Sequence, residues 1–453
     1  MSINKAVDED LNQNHNSRLT YEGCNVLLDI NDGDRLVFSR LTAASTLKIG
    51  NKKCSLQPLI GCPFGSLFQV ESGKEGSFLT RFVENAEGND LEEKDVDGSK
   101  DNRAIVDNNT AQSLTSEDID EMRRQGAKGD EIVEALIANS ATFEKKTLFS
   151  QEKYRVKKQK KYAPRVLLRR PFARSICEAY FKKHPEKIGF MRVDALSLLL
   201  CLGNVTANAD VLVVDMLSGI LTGAIAERLG VFMTMILAGT GYVCNTYRGS
   251  SPYPVDITRM FNLSDEICKR IVHASLTDLN SFETGASVSE SQEETLPITH
   301  SGSVEVGVSA EDGGMDIAPE GVPSPIIRPV KSLKAGQKAP LKSIKLWKEN
   351  GFSSLIIAAP ELDPWGIIKE VLPLLSFSAP FAVYHQYAQP LATCMHNLQI
   401  EKMAIGLQIS EPWLREYQVL PSRTHPHMQM SAFGGYILSG TKISSSDPVT
   451  SSN

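Results

Sequence analysis

Paired cysteines and long uncharged apolar runs are both missing from this chain of 453 residues. Its eight cysteines are scattered, with no Cys-x-x-Cys, which indicates neither a zinc site nor a disulfide framework and favours a reducing compartment. The most apolar stretch, residues 211–238, carries Asp215, Glu227 and Arg228, so we do not expect it to span a membrane. Residues 1–20 are polar and acidic and lack the apolar core of a secretory signal, so we expect none.

Charge of one sign is nearly missing from two segments, although the net charge of the chain is only −6. Residues 145–183 hold fourteen Lys or Arg and two acids, Glu152 and Glu178. Residues 281–330 hold nine acids and the single base Arg328. This asymmetry predicts an anionic partner for the first segment and a solvated, disordered insertion for the second.

Short strand-like runs separated by turn residues fill residues 20–82, and this spacing favours a small β-barrel. Two helices are predicted next, one capped by Thr115 or Ser116 and ending at Gly126, and one over KGDEIVEALIANS. From about Pro171 strands and helices alternate, with near-continuous apolar strands, which predicts a mostly parallel sheet covered on both faces.

We therefore predict a multidomain fold of mixed α+β and α/β class, with an N-terminal small β-barrel and a C-terminal Rossmann-like, methyltransferase-type domain whose cofactor site is degenerate. The predicted boundaries are a disordered N-terminus at 1–19, the barrel at 20–95, a helical and basic linker at 96–165, the α/β domain at 166–440 with a disordered acidic insertion at 281–335, and a disordered tail at 441–453.

A complete glycine loop is also missing. The stretch VLVVDMLSGILTGAIAERLG, residues 211–230, reads as a strand ending at Asp215 and a helix beginning near Leu221. In a class I methyltransferase the turn between them is acidic-x-Gly-x-Gly-x-Gly, and here only Gly219 remains of its three glycines. Residues 230–249 contain no Asp or Glu to accept hydrogen bonds from ribose hydroxyls. These losses predict a non-catalytic domain, while a plain strand–helix turn that never bound a nucleotide stays open on these residues alone.

Four stretches of the chain together resemble the non-catalytic, RNA-binding subunit of the eukaryotic tRNA adenine-N1 methyltransferase that acts on the T-loop. They are residues 101–162, 213–230, 380–391 (PFAVYHQYAQPL) and 410–440 (SEPWLREYQVLPSRTHPHMQMSAFGGYILSG). The resemblance implies an N-terminal β-barrel, a Rossmann-like domain without a working S-adenosylmethionine site, and a catalytic sister subunit that carries S-adenosylmethionine. It further implies a heterotetramer of two plus two subunits with tRNA lying across them. Residues 231–262 are less similar than their flanks.

The candidate RNA-binding residues follow from charge, exposed aromatics and this resemblance. Lysines can bind phosphates without sequence preference, and tyrosines can stack on exposed bases. A solvated linker is the alternative for the basic run, and Lys157 to Lys161 also have the composition of a nuclear localisation signal, so we expect a nuclear protein. The candidates are Asn102, Arg103, Lys153, Tyr154, Arg155, Lys157, Lys158, Lys160, Lys161, Tyr162, Arg192, Tyr387, Arg415, Arg423 and His425.

For two of these candidates a purely structural role is the alternative. Arg192 could form a structural ion pair with Asp194 or Glu186, and Tyr387, like Tyr384, could be a core or interface aromatic. The histidines of RTHPH lack a third metal ligand, so no metal site is predicted. The end of the predicted fourth strand reads IIAAPELDPW, which offers no catalytic side chain and makes Asp363 a helix cap.

The sequence leaves two other functions open. One is an active S-adenosylmethionine-dependent RNA methyltransferase with a degenerate loop, and the other is a free-standing RNA-binding translation accessory factor. The main prediction is a non-catalytic tRNA-binding subunit, with no cofactor bound by this chain and no membrane partner.

Overall fold

The computed structural model describes most of the chain. The described residues are 18–50, 52–73, 76–82, 112–230, 241–281, 335–419, 424–428, 430–431 and 433–443. The candidates Asn102, Arg103 and Arg423 lie outside them, as do residues 282–334 of the predicted insertion and most of the two predicted disordered termini.

A seven-stranded sheet forms the N-terminal unit, in the order β2-β1-β7-β5-β6-β4-β3. Val37 and Leu47, from the two edge strands, pack against the same apolar core as Val26 and Phe68, so the sheet curls around that core as the predicted barrel requires. The strands are β1 (Asn25–Ile30), β2 (Arg35–Arg40), β3 (Thr46–Ile49), β4 (Lys52–Ser55), β5 (Leu67–Gly73), β6 (Gly76–Phe82) and β7 (Arg165–Arg169).

Strand β7 places the domain boundary later in the chain than the sequence predicts. The sequence places residue 166 at the start of the α/β domain, but β7 lies between β1 and β5 and pairs with both in antiparallel register. Its Val166 and Leu168 are buried and its other residues are not, which is the period-2 pattern of a half-buried antiparallel strand. The α/β domain therefore begins after Arg169.

Three helices lie between β6 and β7 of the N-terminal sheet: α1 (Ser116–Arg124), α2 (Gly129–Ala138) and α3 (Leu148–Tyr162). Thr115 caps α1 in a reciprocal pair with Asp118, as its position in the sequence predicts. Ile119, Leu136 and Tyr162 form a small core between the helices. The basic stretch is thus one face of a packed helix.

The C-terminal unit is an eight-stranded sheet in the order β11-β10-β9-β8-β12-β13-β17-β14, parallel except for β17. Two separate apolar clusters cover its faces, which confirms the prediction of a sheet buried on both sides. Its strands are β8 (Val211–Asp215), β9 (Val243–Tyr247), β10 (Ile271–Ser275), β11 (Gln337–Lys338), β12 (Ser354–Ala358), β13 (Pro380–His385), β14 (Ala404–Ser410) and β17 (Tyr436–Lys442). Strands β15 (Tyr417–Gln418) and β16 (His425–Pro426) form a separate antiparallel pair between β14 and β17 in the chain.

The last strand begins immediately after Gly434-Gly435, and it extends two residues into the predicted tail. No helix among the described residues combines the length and the apolar character needed to cross a bilayer. The helices of this unit are α4 (Ala173–Lys183), α5 (Val193–Leu202), α6 (Ile220–Leu229), α7 (Asp265–Arg270), α8 (Leu276–Asn280), α9 (Leu341–Asn350), α10 (Pro364–Val371) and α11 (Ala388–Ile400).

Candidate nucleic-acid interface and nucleotide cleft

The loop after β8 is held closed by its own acid. The buried Asp215 carboxylate accepts hydrogen bonds from the backbone N–H of Leu217 and from the N–H and hydroxyl of Thr222, each at 2.8 Å. Burial raises the pKa of this carboxyl above its ordinary value, against the hydrogen bonds, which lower it. All three donors belong to the loop and to α6, so the acid organises the turn.

A segment that follows β9 fills the space above this loop. Gly219 has φ +87°, and a Cβ placed on it would lie 2.6 Å from Cα of Val255. The Ile257 N–H donates to the carbonyl of Ser218 at 2.9 Å, and a Cβ on Gly223 would lie 2.4 Å from the ring of Phe261. The 3-10 turn Asp256–Phe261 therefore packs directly on the loop and on α6.

The N-terminal sheet holds this turn in place. Asn262, which ends the turn, accepts from the backbone N–H of Asn25 at 2.7 Å and donates its amide to the Asn25 carbonyl at 2.7 Å. The Asn25 side chain in turn donates to the carbonyl of Arg259 at 2.7 Å. Both ends of the segment are therefore fixed, one against Gly219 and the other against β1.

The end of β9 carries no carboxylate. Tyr247 ends the strand and Arg248 follows it, with its guanidinium paired to Glu370 of α10. The carboxylate of Glu370 is engaged in this ion pair. The residues at this position therefore offer no acid to accept hydrogen bonds from a ribose.

The end of β12 is equally bare of catalytic groups. Ala358 and Ala359 are buried there, and Asp363 accepts from the N–H of Gly366 at 2.7 Å. Asp363 is thus the cap of α10, as the sequence predicts. In the described part of the chain no three His, Cys, Asp or Glu side chains lie close enough together to hold a metal ion.

Helix α3 presents a basic face to solvent. Lys153, Arg155, Lys157 and Lys161 are all exposed. Lys153, Lys157 and Lys161 are spaced i, i+4, i+8, so they form one row with steps of about 6 Å along the helix axis. Among the described residues no carboxylate pairs with Lys153 or Lys157, so both charges face solvent.

The other basic residues of the run have internal partners. Lys160 forms an ion pair with Asp34 at 2.8 Å, and the ammonium of Lys158 lies 5.1 Å from the ring centre of Tyr154. The helix therefore separates its lysines into an open row, the exposed Lys153, Lys157 and Lys161, and a half-buried pair, Lys158 and Lys160, that contacts the protein itself. Lys161 of the open row also lies over the ring of Tyr162. Sequence spacing alone did not make this distinction.

Neither tyrosine of the run is an open stacking platform. Tyr154 packs edge-on against Phe143, and its hydroxyl accepts from the Gln112 amide at 3.2 Å. Tyr162 is buried in the small helical core, with Lys161 over its ring at 4.9 Å. The expectation that these rings stack on bases is not met, because Tyr154 contacts Phe143 and Gln112 and Tyr162 is buried.

Arg192 has the structural role that the sequence left open as its alternative. It is buried, and its guanidinium forms a bidentate pair with Asp194 in which both bonds are 2.7 Å long. Its remaining donors reach the carbonyls of Pro412, Ser431 and Phe433. Since all five N–H groups of the side chain are used, it offers no donor to RNA.

These carbonyls lie at the two ends of residues 411–433, which we call the C-terminal arm. Trp413 of the arm is 74% exposed, and Arg415 lies over its ring at 4.9 Å. His425 is exposed in the β15–β16 hairpin, within 3.2 Å of the Gln418 amide nitrogen. Trp413 was not singled out from the sequence, where only its presence in a polar stretch could have marked it.

Tyr387 is a further exposed aromatic at this edge of the sheet. It follows β13, is 63% exposed, and its backbone N–H donates to Nδ1 of the buried His385. Tyr384, by contrast, is buried and its hydroxyl donates to the carbonyl of Gly189 at 3.0 Å. Of the two tyrosines, only Tyr387 can reach a ligand.

Comparison with known proteins matches residues 20–303 to the Gcd10p family. A relative from Dictyostelium discoideum, "tRNA (adenine(58)-N(1))-methyltransferase non-catalytic subunit trm6", is 34% identical over 439 residues, which cover 94% of this chain and 80% of the relative. A relative from Mus musculus, "tRNA (adenine(58)-N(1))-methyltransferase non-catalytic subunit TRM6", is 32% identical over 455 residues, which cover 91% of this chain and 88% of the relative.

Among solved structures, the tRNA (m1A58) methyltransferase TrmI from Aquifex aeolicus is 12% identical and covers 94% of this chain and 99% of its own, with a TM-score of 0.42.

Proposed function

Because this chain belongs to the Gcd10p family, we propose that it is the non-catalytic, tRNA-binding subunit of a tRNA adenine-N1 methyltransferase and holds tRNA for a catalytic sister subunit. The observation that carries the proposal is the contact of Val255 and Ile257 with the loop at Ser218 and Gly219, because it fills the nucleotide cleft with the protein's own backbone.

The residues of the cleft do not fit S-adenosylmethionine. A nucleotide loop needs backbone open to the ligand, and here that backbone is covered by the turn that follows Val255. The strand that should present a ribose acid ends in Tyr247 and is followed by Arg248. We therefore propose that S-adenosylmethionine binds to the partner subunit and that this chain has no chemical step of its own.

The RNA-binding surface in this proposal has two parts. The open row of α3 supplies positive charge along a line, which suits a phosphate backbone. The carboxyl edge of the sheet supplies the exposed rings of Tyr387 and Trp413, the latter with Arg415 stacked on it, which suits unpaired bases. His425 completes this edge.

The catalytic subunit, in this proposal, docks at the outer strands of the sheet. Strand β14 is the edge of the strand order, and an uncovered edge invites pairing with another chain. Ile400, Ile405 and Phe377 are each more than half exposed at the same end of these strands. Exposed apolar side chains grouped at an edge are typical of a protein interface. We propose equal copies of the two subunits, two of each, in a nuclear complex.

Reconstitution tests this function. The chain and its catalytic partner, purified separately and together, are assayed for methyl transfer to tRNA. We expect activity only from the complex, and a complex with equal copies. Methyl transfer by this chain alone would identify an active methyltransferase. A stable monomer that binds RNA without a methyltransferase partner would identify a free-standing factor.

A further inference from the structure

A groove of about 380 Å³ lies between α3 and the outer face of the N-terminal sheet. The strand residues that line it, among them Asp29, Leu67 and Leu167, alternate along β1, β5 and β7 with residues of the apolar core, so the groove is on the face opposite that core. A volume of this size is in the range of small-molecule sites. The cleft described above plays no part in it.

The walls of the groove are apolar. Leu67 of β5 and Leu167 of β7 are partners in the strand register, so their side chains lie next to each other on the sheet. Both are only half-buried, and Val156 of α3 opposite them is 38% exposed. These side chains offer a flat ring an apolar surface that no described part of the chain covers completely.

Two of the four charged residues in the lining are already paired. Asp29 accepts from the Gly33 N–H at 2.6 Å and forms an ion pair with Arg169 at 3.1 Å. Lys160 forms its ion pair with Asp34. Neither Asp29 nor Lys160 is therefore the main polar contact that a ligand would find.

The other polar groups of the lining have unmet hydrogen-bonding capacity. The buried Nε of Arg165 has no hydrogen-bond partner among the described residues, and the guanidinium is held over the ring of Phe82 at 4.2 Å. Within the same part of the chain nothing pairs with the carboxylate of Asp32 or with the side-chain amide of Gln159. A buried donor without a partner is unfavourable, and a ligand acceptor would relieve it.

The formal charge of the lining is zero, since two carboxylates face two cations. Such a groove does not favour a bare phosphate. It favours a neutral, flat molecule that offers donors to Asp32 and an acceptor to Arg165, because apolar pockets orient their ligands through a few such polar groups.

Of the four RNA bases, guanine meets this description best. Its Watson–Crick edge carries two adjacent N–H donors, at N1 and at the amino group, beside the O6 acceptor. A carboxylate can accept both donors at once, as it does from an arginine. Adenine, cytosine and uracil each present only one donor position on that edge.

We propose that this groove binds an unpaired guanine base, which donates from N1 and its amino group to Asp32 and accepts at O6 from Arg165, with its ring on the leucine wall. The guanine can come from a free nucleotide or from a bound RNA. The RNA source rests on the proposed function, and the free source does not.

The position of the groove on α3 fits a base that belongs to an RNA strand. Val156 lies three residues after Lys153, and residues so spaced are neighbours on a helix surface. Lys160 has the same relation to Lys157. A phosphate backbone on the open row would therefore run beside the groove. Asp32 repels phosphates and attracts base donors, so it favours entry of the base alone.

The test uses Asp32→Asn in the complex with the catalytic subunit, with Glu22→Gln as the matched control. Asp32 is exposed and has φ +57°, a conformation that asparagine also tolerates, so the variant should fold. Glu22 is exposed, belongs to the same unit and lies outside the lining, so both variants remove one negative charge. Thermal unfolding checks that both variants are folded.

The probes differ only in the base. GMP and IMP are titrated by calorimetry, because IMP keeps N1–H and O6 but lacks the amino group. Oligouridylates with one central guanosine or one central inosine are the RNA counterparts, and tRNA is measured separately.

We expect the wild-type complex to prefer guanosine to inosine about tenfold, as for one hydrogen bond to a charged acceptor, and Asp32→Asn to remove the preference. For the free source the mononucleotides show this preference. For the RNA source only the oligonucleotides show it, and Asp32→Asn also weakens tRNA binding with no change in salt slope, because no phosphate contact is lost.

A purely electrostatic role of Asp32 predicts the opposite sign, because removing an acid strengthens binding of every anionic probe. If Asp32→Asn behaves like Glu22→Gln toward all probes, or if the wild-type complex does not distinguish guanosine from inosine, the guanine site does not exist. Binding of tRNA by that same complex would still support the proposed function. If the wild-type complex fails to bind tRNA, the proposed function fails, and the GMP and IMP titrations still decide the groove.

Discussion

Gly219 and Val255 lie so close that the backbone of one occupies the space that a side chain on the other would need. The two residues are far apart in the sequence, and they meet because the turn after β9 folds back over the loop after β8. A retained Rossmann-like fold is thus closed at its ligand site by the chain itself.

Gly219→Ala should therefore destabilise the protein more than its backbone angle alone explains. Left-handed φ costs a non-glycine residue about 1–2 kcal/mol, and displacement of Val255 should add about 1–3 kcal/mol. Gly126→Ala is the control, because Gly126 has φ +93° and open space around it. Equal losses of unfolding free energy in the two variants, measured by denaturant titration, would argue against the close contact.

Arg192→Met should cost about 3–5 kcal/mol, because it leaves the Asp194 carboxylate without its partner in a mostly buried site. It should also release the C-terminal arm, whose two ends the guanidinium holds, and proteolysis within 411–433 should become faster. Arg174→Met, which removes an exposed pair with Glu178, should cost about 1 kcal/mol or less and leave the arm protected.

The open row of α3 predicts a difference between two double variants of equal charge change. Lys153→Ala with Lys157→Ala removes two open charges, and the slope of log affinity for tRNA against log salt should flatten by about 1.8 if both contact duplex phosphates. Lys158→Ala with Lys160→Ala removes lysines that contact Tyr154 and Asp34, and the slope should change less.

Both double variants should assemble with the catalytic subunit. Unchanged tRNA affinity and salt slope in the first variant, together with altered location in cells, would make the basic run a nuclear signal and remove it from the RNA-binding surface.

Burial of Asp215 predicts a pH dependence of stability. Its pKa is raised in the folded state, so the folded protein binds the proton more tightly than the unfolded chain does. The contribution of Asp215 to stability is therefore fully present below its unfolded pKa of about 4 and is lost as pH rises through the folded value. The unfolding free energy of wild type minus that of Asp215→Asn should decrease over this range. A difference that grows with pH would mean that the hydrogen bonds to Asp215 dominate.

Local sequence patterns predicted much of the fold. The helix caps at Thr115 and Asp363 could be predicted because the residue that caps a helix N-terminus is adjacent to the helix in the sequence. Long-range contacts could not be predicted in this way. Three features depend on residues that are distant in the sequence. They are the pairing of β7 with β1, the burial of Tyr162, and the hydrogen bonds from Arg192 to carbonyls of the C-terminal arm.

The same distinction between local sequence patterns and long-range contacts applies to the candidate RNA-binding surface. The positive charge of α3 was visible in the sequence, but which lysines face solvent depends on how the helix packs against Asp34 and the helical core.

The number of methyl-donor sites in the assembled complex tests the central claim most directly. Calorimetric titration of the purified complex with S-adenosylmethionine, at known concentrations of both subunits, gives this number. We predict one site for each catalytic subunit, hence half as many sites as chains when the copies are equal. One site for every chain would show that the cleft beneath Val255 opens to the donor, and it would contradict the account.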